Sequence, residues 1–350
     1  MRVTLRDIAE RTSLSRVTVC QILGGGGNVM PETRKRVIET ARELGYTPNS
    51  AARAMRKGRF DTVGLLLRDE AYNIELPAQT IGGIASTLEK KGLKTILVKA
   101  SNESLLKANS LPGISVKFML DGAIVSCWGV IPDELRKLAE TLEYPVCWVN
   151  SDIPHNAVRP DDHGAGRMAA EHLIGLGHRR IAYVDFSGSQ HFSTDDRCRG
   201  YSDGMIAAGL EPWVFRRRIP SEQRFDGAAE LFASGERPSA VVTYCTYDAM
   251  PVIFRASQSG LRVPRDLSVV TIDGRIPVAM GIPISAVIFP ERELGVAAAE
   301  MLLARIEARG RAFPSVTVPF KEIAGKTCGP PAQAGSLGGS SVSSLPQARR

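Results

Sequence analysis

Short runs rich in β-branched residues alternate with helical segments from Thr62 onward, and this alternation restricts the fold more than any other feature. Strands that alternate with helices are typical of α/β proteins with doubly wound parallel sheets. The length of this region suits two such lobes with a cleft between them, so we predict a two-lobed α/β domain over residues 61–328. The runs that indicate strands are VGLLL, TILVK, GAIVS, VCWVN, RIAYVDF, AVVTY and SVVTI.

Basic residues are concentrated at the N-terminal end of the chain. Residues 1–60 contain 12 Lys or Arg and 5 Asp or Glu, whereas residues 61–350 contain 32 of each kind. A small basic segment joined to a neutral domain is typical of proteins that bind a polyanion such as nucleic acid. Charge alone leaves open the alternative that this is a basic surface without a partner.

The composition, 43% hydrophobic and 23% charged, is that of an ordinary globular protein. No apolar run approaches the roughly 18 residues that a membrane-spanning helix needs, and the N-terminal sequence MRVTLRDIAE lacks the apolar core of a signal peptide. We therefore expect a cytoplasmic protein with no membrane partner. The six cysteines are scattered without a CxxC pair, and the five histidines lack ligand spacing, so we expect no disulfide framework, metal or cofactor.

The first 46 residues contain the signals of three short helices. Thr4 and Ser15 can cap the first two helices, Pro31 fits the first turn of a third, and Gly45 can end it. Three short helices with a tight turn between the first two form the helix-turn-helix pattern. The apolar stripes that should face inward are Leu5, Ile8, Ala9 and Thr12 in the first helix, Val19, Ile22 and Leu23 in the second, and Val37, Ile38, Ala41 and Leu44 in the third.

The inward stripe of the second helix leaves Arg16, Val17, Cys20 and Gln21 on the opposite face. A recognition helix needs such a face, because its side chains must reach base edges in the major groove. Arg16 could pair with guanine, Gln21 with adenine, and Val17 could contact a thymine methyl group. The alternative is a helix surface that faces only water.

Four consecutive glycines, residues 24–27, follow the second helix. A phosphate-binding loop of the GxxxxGK[ST] type must lie between a strand and a helix. Here the preceding segment is helical and no Lys-Ser or Lys-Thr follows, so we interpret the glycines as the turn between the second and third helices.

The segments VTLRDIAERTSLSRVTVCQIL and VMPETRKRVIETARELGYTPNSAARAMRKGR resemble the DNA-binding end of the lactose-repressor (LacI/GalR) family of bacterial transcription regulators. The resemblance implies a helix-turn-helix domain over residues 1–47 and a hinge helix with its linker over residues 48–60. The hinge helix inserts an apolar side chain, here Met55, into the minor groove. Together with the exposed face of the second helix, it implies DNA contacts from Thr4, Leu5, Ser15, Arg16, Val17, Cys20, Gln21, Thr33, Tyr46, Asn49, Ala52, Met55 and Arg56.

Some positions depart from the family pattern. Met55 replaces the usual leucine of the hinge. Cys20 replaces the usual serine or alanine, and Gln21 replaces the usual arginine or another polar residue that contacts bases. Met30 replaces the usual serine before the third helix, which should weaken the start of that helix.

The resemblance continues through EHLIGLGHRRIAYV, RCRGYSDGMIAAGL and LSVVTIDGRIPVA, which are similar to the family's periplasmic-binding-protein-like effector domain. It implies that a small-molecule effector, for example a carbohydrate, binds in the cleft. Arg197 matches an arginine that bridges ligand hydroxyls, and Asp273 matches an acid that accepts from them. The effector-binding positions that the resemblance implies are Tyr72, Asn73, Asn150, Arg197, Tyr247, Asp248, Asp273 and Phe289, and each of them could instead be structural.

One competing motif points to an enzyme. Residues 164–169 read GAGRMA, which fits GxGxxA, and Asp185 follows at the distance of a ribose-binding acid. Such a fingerprint must directly follow a strand, whereas VCWVN ends 14 residues before Gly164. We therefore favour a helix start that packs beside a lobe, and a nicotinamide-dependent oxidoreductase is an alternative.

The C-terminal segment, residues 329–350, is rich in Gly, Ser, Pro and Ala and is predicted to be a disordered tail. It lacks the leucine heptads of a tetramerising coiled coil, so we expect a homodimer, which would bind a palindromic double-stranded operator. The sequence thus predicts an effector-controlled transcriptional repressor and not an enzyme. A nonspecific or architectural DNA binder with a vestigial effector domain is a further alternative.

Overall fold

The computed structural model describes residues 3–46, 58–69, 76–107, 113–114, 117–233, 237–279 and 281–332. The chain divides into two compact units, Met1–Phe60 and Asp61–Arg350. This division falls at the predicted start of the two-lobed domain.

The first unit is a bundle of three helices, α1 (Leu5–Thr12), α2 (Arg16–Leu23) and α3 (Pro31–Glu43). The Thr4 backbone N–H donates to Asp7 Oδ2 at 2.7 Å, and the Thr18 N–H donates to Ser15 Oγ at 3.0 Å, so both expected caps form. The turn of four glycines joins α2 to α3, and the Arg34 guanidinium holds it by donating to the carbonyls of Gly26 (3.0 Å) and Gly27 (2.9 Å).

The core of this unit agrees with the sequence pattern except at one position. The prediction that Ile38 is buried is wrong: its side chain is 43% exposed, and Thr40 is buried instead. Positions 37, 40, 41 and 44 recur every three to four residues and fill the inward face of α3, which leaves position 38 outside it. The buried apolar residues are Ile8, Ala9, Val19, Ile22, Val37 and Ala41, with Leu5, Leu14, Leu23, Val29, Leu44 and Tyr46 partly buried against them.

The second unit has two lobes, and the chain passes between them three times. The first lobe contains β1 (Thr62–Asp69), α4 (Ala78–Glu89), β2 (Lys94–Ser101), α5 (Asn102–Leu106), β3 (Gly122–Ser126), α6 (Asp133–Thr141), β4 (Val146–Val149) and β5 (Ala157–Pro160). The second lobe contains α7 (Asp162–Gly175), β6 (Ile181–Asp185), α8 (Phe192–Ala207), β7 (Trp213–Arg216), α9 (Arg224–Ala233), β8 (Ala240–Thr243), α10 (Thr246–Gln258), β9 (Ser268–Asp273), the hairpin β10 (Val278–Ala279) and β11 (Ile282–Pro283), and β12 (Ser285–Ile288). The chain then returns to the first lobe with α11 (Glu291–Glu307) and β13 (Val316–Val318) and ends in the second with β14 (Ile323–Ala324).

Each lobe is built on a six-stranded sheet, in the order β13-β5-β4-β3-β1-β2 and β14-β12-β9-β8-β6-β7. All pairings in the first sheet are parallel, and in the second only β12 and β14 are antiparallel. The prediction of doubly wound parallel sheets is therefore confirmed. The order of strands reverses between β1 and β3 and between β6 and β8, and ligands of such sheets bind beyond the carboxyl ends of the strands at these switch points.

The expectation that no strand directly precedes GAGRMA is wrong, because β5 ends at Pro160, just before α7. The structure gives the glycine at position 166 a role in helix packing. A Cβ atom at Gly166 would lie 2.0 Å from the Arg197 carbonyl oxygen, and one at Gly200 would lie 1.9 Å from the His163 carbonyl oxygen. The two glycines thus allow α7 and α8 to cross in close contact, and the Asp161 carboxylate caps α7 by accepting from the Gly164 N–H at 2.9 Å.

The ordered backbone extends beyond the predicted boundary at residue 328. The Gly329 N–H donates to Ser268 Oγ at 3.0 Å, and the Gly329 carbonyl lies 2.8 Å from His178 Nε2. Residues 329–332 therefore belong to the second lobe, and the rest of the predicted tail lies outside the described residues.

Candidate DNA-reading surface and effector cleft

Helix α2 presents one face to the core and the other to solvent. Val19 and Ile22 are buried, whereas Arg16, Val17 and Gln21 are exposed, with Val17 at 67%. Cys20 is half-buried beside them. In the part of the chain that the structure describes, no carboxylate pairs with Arg16, so its guanidinium can reach an external acceptor.

The other predicted DNA contacts have different surroundings. Thr4 and Ser15 are exposed caps, whereas Leu5, Thr33 and Tyr46 are half-buried. Leu5 and Tyr46 also pack against the core of the first unit, so each has a structural role. The remaining predicted contacts, Asn49, Ala52, Met55 and Arg56, lie outside the described residues.

The candidate effector cleft lies where the carboxyl ends of strands from both lobes meet the crossover segments. Asn150 follows β4, is 3% exposed, and has φ of 59°, a left-handed conformation that asparagine adopts more readily than most residues. Asp273 ends β9, is half-buried, and accepts a hydrogen bond from the Thr246 hydroxyl.

Arg197 on α8 is held from two sides. Its Nε donates to Asp162 Oδ1 at 2.7 Å and its Nη1 to the Tyr244 carbonyl at 2.8 Å, while the guanidinium lies 4.8 Å from the centre of the Tyr244 ring. The side chain is 10% exposed. A buried guanidinium has five N–H donors, so donors remain for a ligand after these two bonds.

Asp162, which no sequence pattern indicated, is the acidic partner of Arg197. Its carboxylate is buried, and Oδ2 accepts no hydrogen bond from any residue that the structure describes. Burial raises the pKa of Asp162, and the Arg197 guanidinium opposes this shift. A buried acceptor without a donor is costly, so Oδ2 is a candidate acceptor for a ligand hydroxyl or a water molecule.

Phe289 is buried in an aromatic cluster where the chain crosses between lobes. Its ring centre lies 5.5 Å from that of Trp128 and 5.5 Å from that of Phe320. The indole Nε1 of Trp128 is buried without an acceptor among the described residues. These rings make this part of the cleft largely apolar.

Two predicted effector contacts do not join this group. The side chain of Tyr247 is 80% exposed, and the neighbouring Thr246 is the residue that contacts Asp273. Asp248 is fully buried, and its Oδ1 lies 3.3 Å from Arg224 Nη1, so the structure gives this carboxylate a packing role. Burial and the nearby Asp185 raise the pKa of Asp248 to about 7. Tyr72 and Asn73 lie outside the described residues.

Within the described ranges, no three His, Cys, Asp or Glu side chains are grouped so that they could hold a metal ion. The same ranges contain no helix with the length and apolar character that crossing a membrane requires.

Comparison with protein families identifies both units. Residues 4–49 match the model of bacterial regulatory proteins of the lacI family, and residues 170–328 match that of the periplasmic binding protein-like domain. The maltose regulon regulatory protein MalI of Escherichia coli K12 is 26% identical over 343 residues, which covers 93% of this chain and 98% of MalI. Catabolite control protein A of Priestia megaterium is 27% identical, covering 86% of this chain and 92% of that protein.

Solved structures show the same fold. The lac repressor dimer bound to operator and the anti-inducer ONPF superimposes with a TM-score of 0.77 at 20% identity, covering 94% of this chain and 100% of the repressor chain. The complex of the regulator CelR with cellobiose gives a TM-score of 0.62 at 23% identity, covering 93% and 100%. This chain therefore joins a helix-turn-helix domain of the lacI family of bacterial regulatory proteins to a periplasmic-binding-protein-like domain, and it is a DNA-binding transcriptional regulator.

Proposed function

We propose that this protein is a cytoplasmic transcriptional repressor that binds a roughly palindromic operator as a homodimer and responds to a small-molecule effector in the cleft. The observation that supports DNA binding is the exposed face of α2. Arg16, Val17 and Gln21 stand side by side on a helix whose opposite face is fixed in a core, as a reader of the major groove requires.

Each side chain on this face suits one kind of base contact. Arg16 fits the two acceptors of guanine, Gln21 fits the donor and acceptor of adenine, and Val17 fits a thymine methyl group. Thr4, Ser15, Cys20, Thr33 and Tyr46 would then contact the phosphate backbone or support this face. In the segment beyond residue 46, Met55 would supply the apolar wedge in the minor groove.

Exposed aromatic residues of the second unit support a dimer. Phe225 on α9 and Phe254 on α10 are 45% and 41% exposed and form an edge-to-face pair with ring centres 5.1 Å apart. Met250, one turn before Phe254, is 40% exposed. Adjacent exposed apolar side chains of this kind are typical of an interaction surface, and the lac repressor was solved as a dimer on its operator. A two-fold axis in the protein implies two symmetric half-sites in the DNA.

The polar groups of the cleft suit a neutral, hydroxylated effector. The charge of Arg197 is balanced by Asp162, while Asp273, Thr246 and Asn150 offer further hydrogen-bonding groups. The neighbouring Phe289 cluster offers an apolar surface on which a sugar or another ring can pack. The solved relative CelR binds cellobiose, and curated relatives include the ribose operon repressor of Haemophilus influenzae and several PurR repressors. We therefore propose a sugar or a related metabolite as the effector, bound without catalysis.

Selection of bound duplexes from a random DNA pool at physiological salt tests this function. We expect a consensus of two inverted half-sites. Arg16→Ala should weaken binding to that consensus by about 1–3 kcal/mol and relax the preference at one base position of each half-site. Arg6→Ala is the matched control, because Arg6 lies on α1 and is paired with Glu10.

The control variant should change the affinity for all sequences by the same small factor. If Arg16→Ala also lowers the affinity for all duplexes equally, Arg16 contacts only phosphate. If no consensus emerges with or without a metabolite extract, the protein is a nonspecific DNA binder and the proposal is refuted.

A further inference from the structure

The N-terminal end of α8 belongs to the second lobe but contacts the first lobe through two consecutive residues. His191, the residue that caps α8, is 7% exposed, and its Nε2 lies 3.2 Å from the carbonyl oxygen of Cys127, which follows β3. The next ring, Phe192, lies under the guanidinium of Arg159 on β5, 5.8 Å from the ring centre. This helix end therefore forms a direct contact between the lobes in addition to the covalent crossovers.

The partners of His191 determine where its proton lies. A carbonyl oxygen only accepts, so Nε2 must carry the proton and donate it to Cys127. In the neutral ring Nδ1 is then an acceptor, and it receives the Ser193 hydroxyl at 2.7 Å and the Ser193 backbone N–H at 3.3 Å. One ring thus caps α8 through Nδ1 and binds the first lobe through Nε2.

The same ring is connected to the effector cleft. Because the Ser193 hydroxyl donates to His191, it must accept from the Tyr244 hydroxyl, whose oxygen is 3.0 Å away. The Tyr244 carbonyl in turn accepts from Arg197 Nη1 at 2.8 Å. A continuous chain of contacts therefore runs from Arg197 through Tyr244, Ser193 and His191 to Cys127 in the first lobe.

Burial favours the neutral form of the His191 ring. Burial lowers the pKa of His191, whereas the Asp162 carboxylate raises it and the Arg197 guanidinium lowers it. The two charged side chains that face the ring are thus the buried pair of the effector cleft, and their charges largely cancel.

We propose that His191 is a positioning residue that couples the effector cleft to the first lobe by holding the two lobes together through its Nε2–H. This inference rests on the proposed function, because it takes Arg197 to be a group that the effector engages. An effector that draws Arg197 away from the Tyr244 carbonyl shifts Tyr244 and Ser193 and thereby changes the bond from His191 to Cys127. The angle between the lobes then responds to the occupancy of the cleft.

Substitutions at His191 can separate its two roles. Asparagine is a favoured capping residue and ends near the position of Nδ1, so His191→Asn keeps the cap of α8 but does not reach Cys127. His191→Ser keeps a cap in the same way. Glutamine extends as far as Nε2 and carries an N–H donor there, so His191→Gln can restore the bond between the lobes. The matched control is His178→Asn, because His178 is also buried and its partners Ser239, Ser268 and Gly329 all lie in the second lobe.

Amide hydrogen exchange of the full-length protein, without DNA or effector, measures the contact. For peptides covering residues 126–131 of the first lobe, we expect His191→Asn and His191→Ser to raise the exchange rate about tenfold, the effect of losing one hydrogen bond. His191→Gln should stay near the wild-type rate, and His178→Asn should leave this segment unchanged. Peptides covering β6 should exchange at wild-type rates in the His191 variants, which excludes unfolding of the second lobe.

Unchanged exchange over residues 126–131 in both capping variants would overturn the proposal, and so would an equal increase in His178→Asn. If His191→Gln exchanges as fast as His191→Asn, the Nε2 donor is not the group that matters and the proposal also fails. Because the measurement needs no DNA, it is independent of the selection experiment. Failure to find an operator would refute the proposed function, whereas failure here with intact operator binding would refute only the coupling role.

Discussion

Substitution of Gly200 by alanine tests the physical basis of the cleft. Helices α7 and α8 cross at Gly166 and Gly200, and a Cβ atom added at position 200 would lie 1.9 Å from the His163 carbonyl oxygen, about 1.5 Å closer than the lower limit of ordinary contact at 3.4 Å. The atom in the way belongs to the backbone, so it cannot rotate aside. The helices must separate, and this moves Arg197 on α8 away from Asp162 at the start of α7.

The expected loss of stability follows from three contributions. Overpacking of a close contact costs about 1–3 kcal/mol. Alanine is a better helix former than glycine, and this difference offsets about 1 kcal/mol of the overpacking cost. Separation of the helices weakens a 2.7 Å ion pair between buried groups, and leaving such a charge unpaired costs about 3–5 kcal/mol. We therefore expect Gly200→Ala to lower the free energy of unfolding of the second unit by about 3 kcal/mol or more.

Gly204 provides a matched control one turn further along α8. There an added Cβ would lie 3.1 Å from the Ala170 Cβ, a contact that a shift of a few tenths of an ångström relieves. Urea denaturation followed by circular dichroism should show a lower midpoint for Gly200→Ala and a midpoint at or above wild type for Gly204→Ala. Equal midpoints for the two variants would refute the close crossing. The glycines of GAGRMA would then need another explanation, such as a site for a dinucleotide phosphate.

Two further predictions concern single side chains. Met30 precedes α3 and provides no side-chain cap, so Met30→Ser should stabilise this helix by about 1 kcal/mol. Amide exchange in the first turn of α3 should then be roughly fivefold slower than in wild type. Unchanged exchange would show that the missing cap does not limit the stability of this helix. Asp248 has a pKa of about 7 in the folded protein, against an ordinary value of 3.8, so it contributes stability at low pH that is lost as the pH rises through 7. Asp248→Asn should remove this loss, so that relative to wild type the variant gains stability between pH 4 and pH 8, by at most about 4 kcal/mol. A pH-independent difference between the two proteins would contradict the pKa shift.

The sequence predicts the strands that carry a long run of β-branched or aliphatic residues well and the strands without such a run poorly. All seven β-rich runs form strands, because each contains several β-branched or aliphatic residues whose preference agrees with a place in the sheet. Strands β5, β7 and β13 have four residues or fewer and contain proline, arginine or exposed positions, so their pairing is set by the neighbouring strand. Because β5 carries so weak a pattern, the sequence places no strand before GAGRMA.

The site residues also differ in whether a local sequence pattern identifies them. A local pattern identifies the exposed face of α2, because the helix period alone separates Arg16 and Gln21 from Val19 and Ile22. The cleft depends on contacts between distant segments. Asp162 pairs with Arg197 across 35 positions of the chain, and no local pattern marks this carboxylate as different from Asp161 beside it. At the start of α10 the family resemblance indicates Tyr247, whereas the hydroxyl of Thr246 is the group that contacts Asp273.

The crossing of α7 and α8 and the contact between the lobes depend on each other physically. Close approach at Gly166 and Gly200 fixes α8 against α7, and the Asp162–Arg197 pair then holds the N-terminal half of α8 at a defined position. His191 stands at that end of the helix, so its distance from Cys127 is set by the same packing. A ligand that engages Arg197 therefore acts on a packed helix and not on a mobile side chain, and even a shift of less than 1 Å is enough to weaken a hydrogen bond that is 3.2 Å long. On this reasoning Gly200→Ala should accelerate exchange over residues 126–131 as His191→Asn does, whereas Gly204→Ala should not.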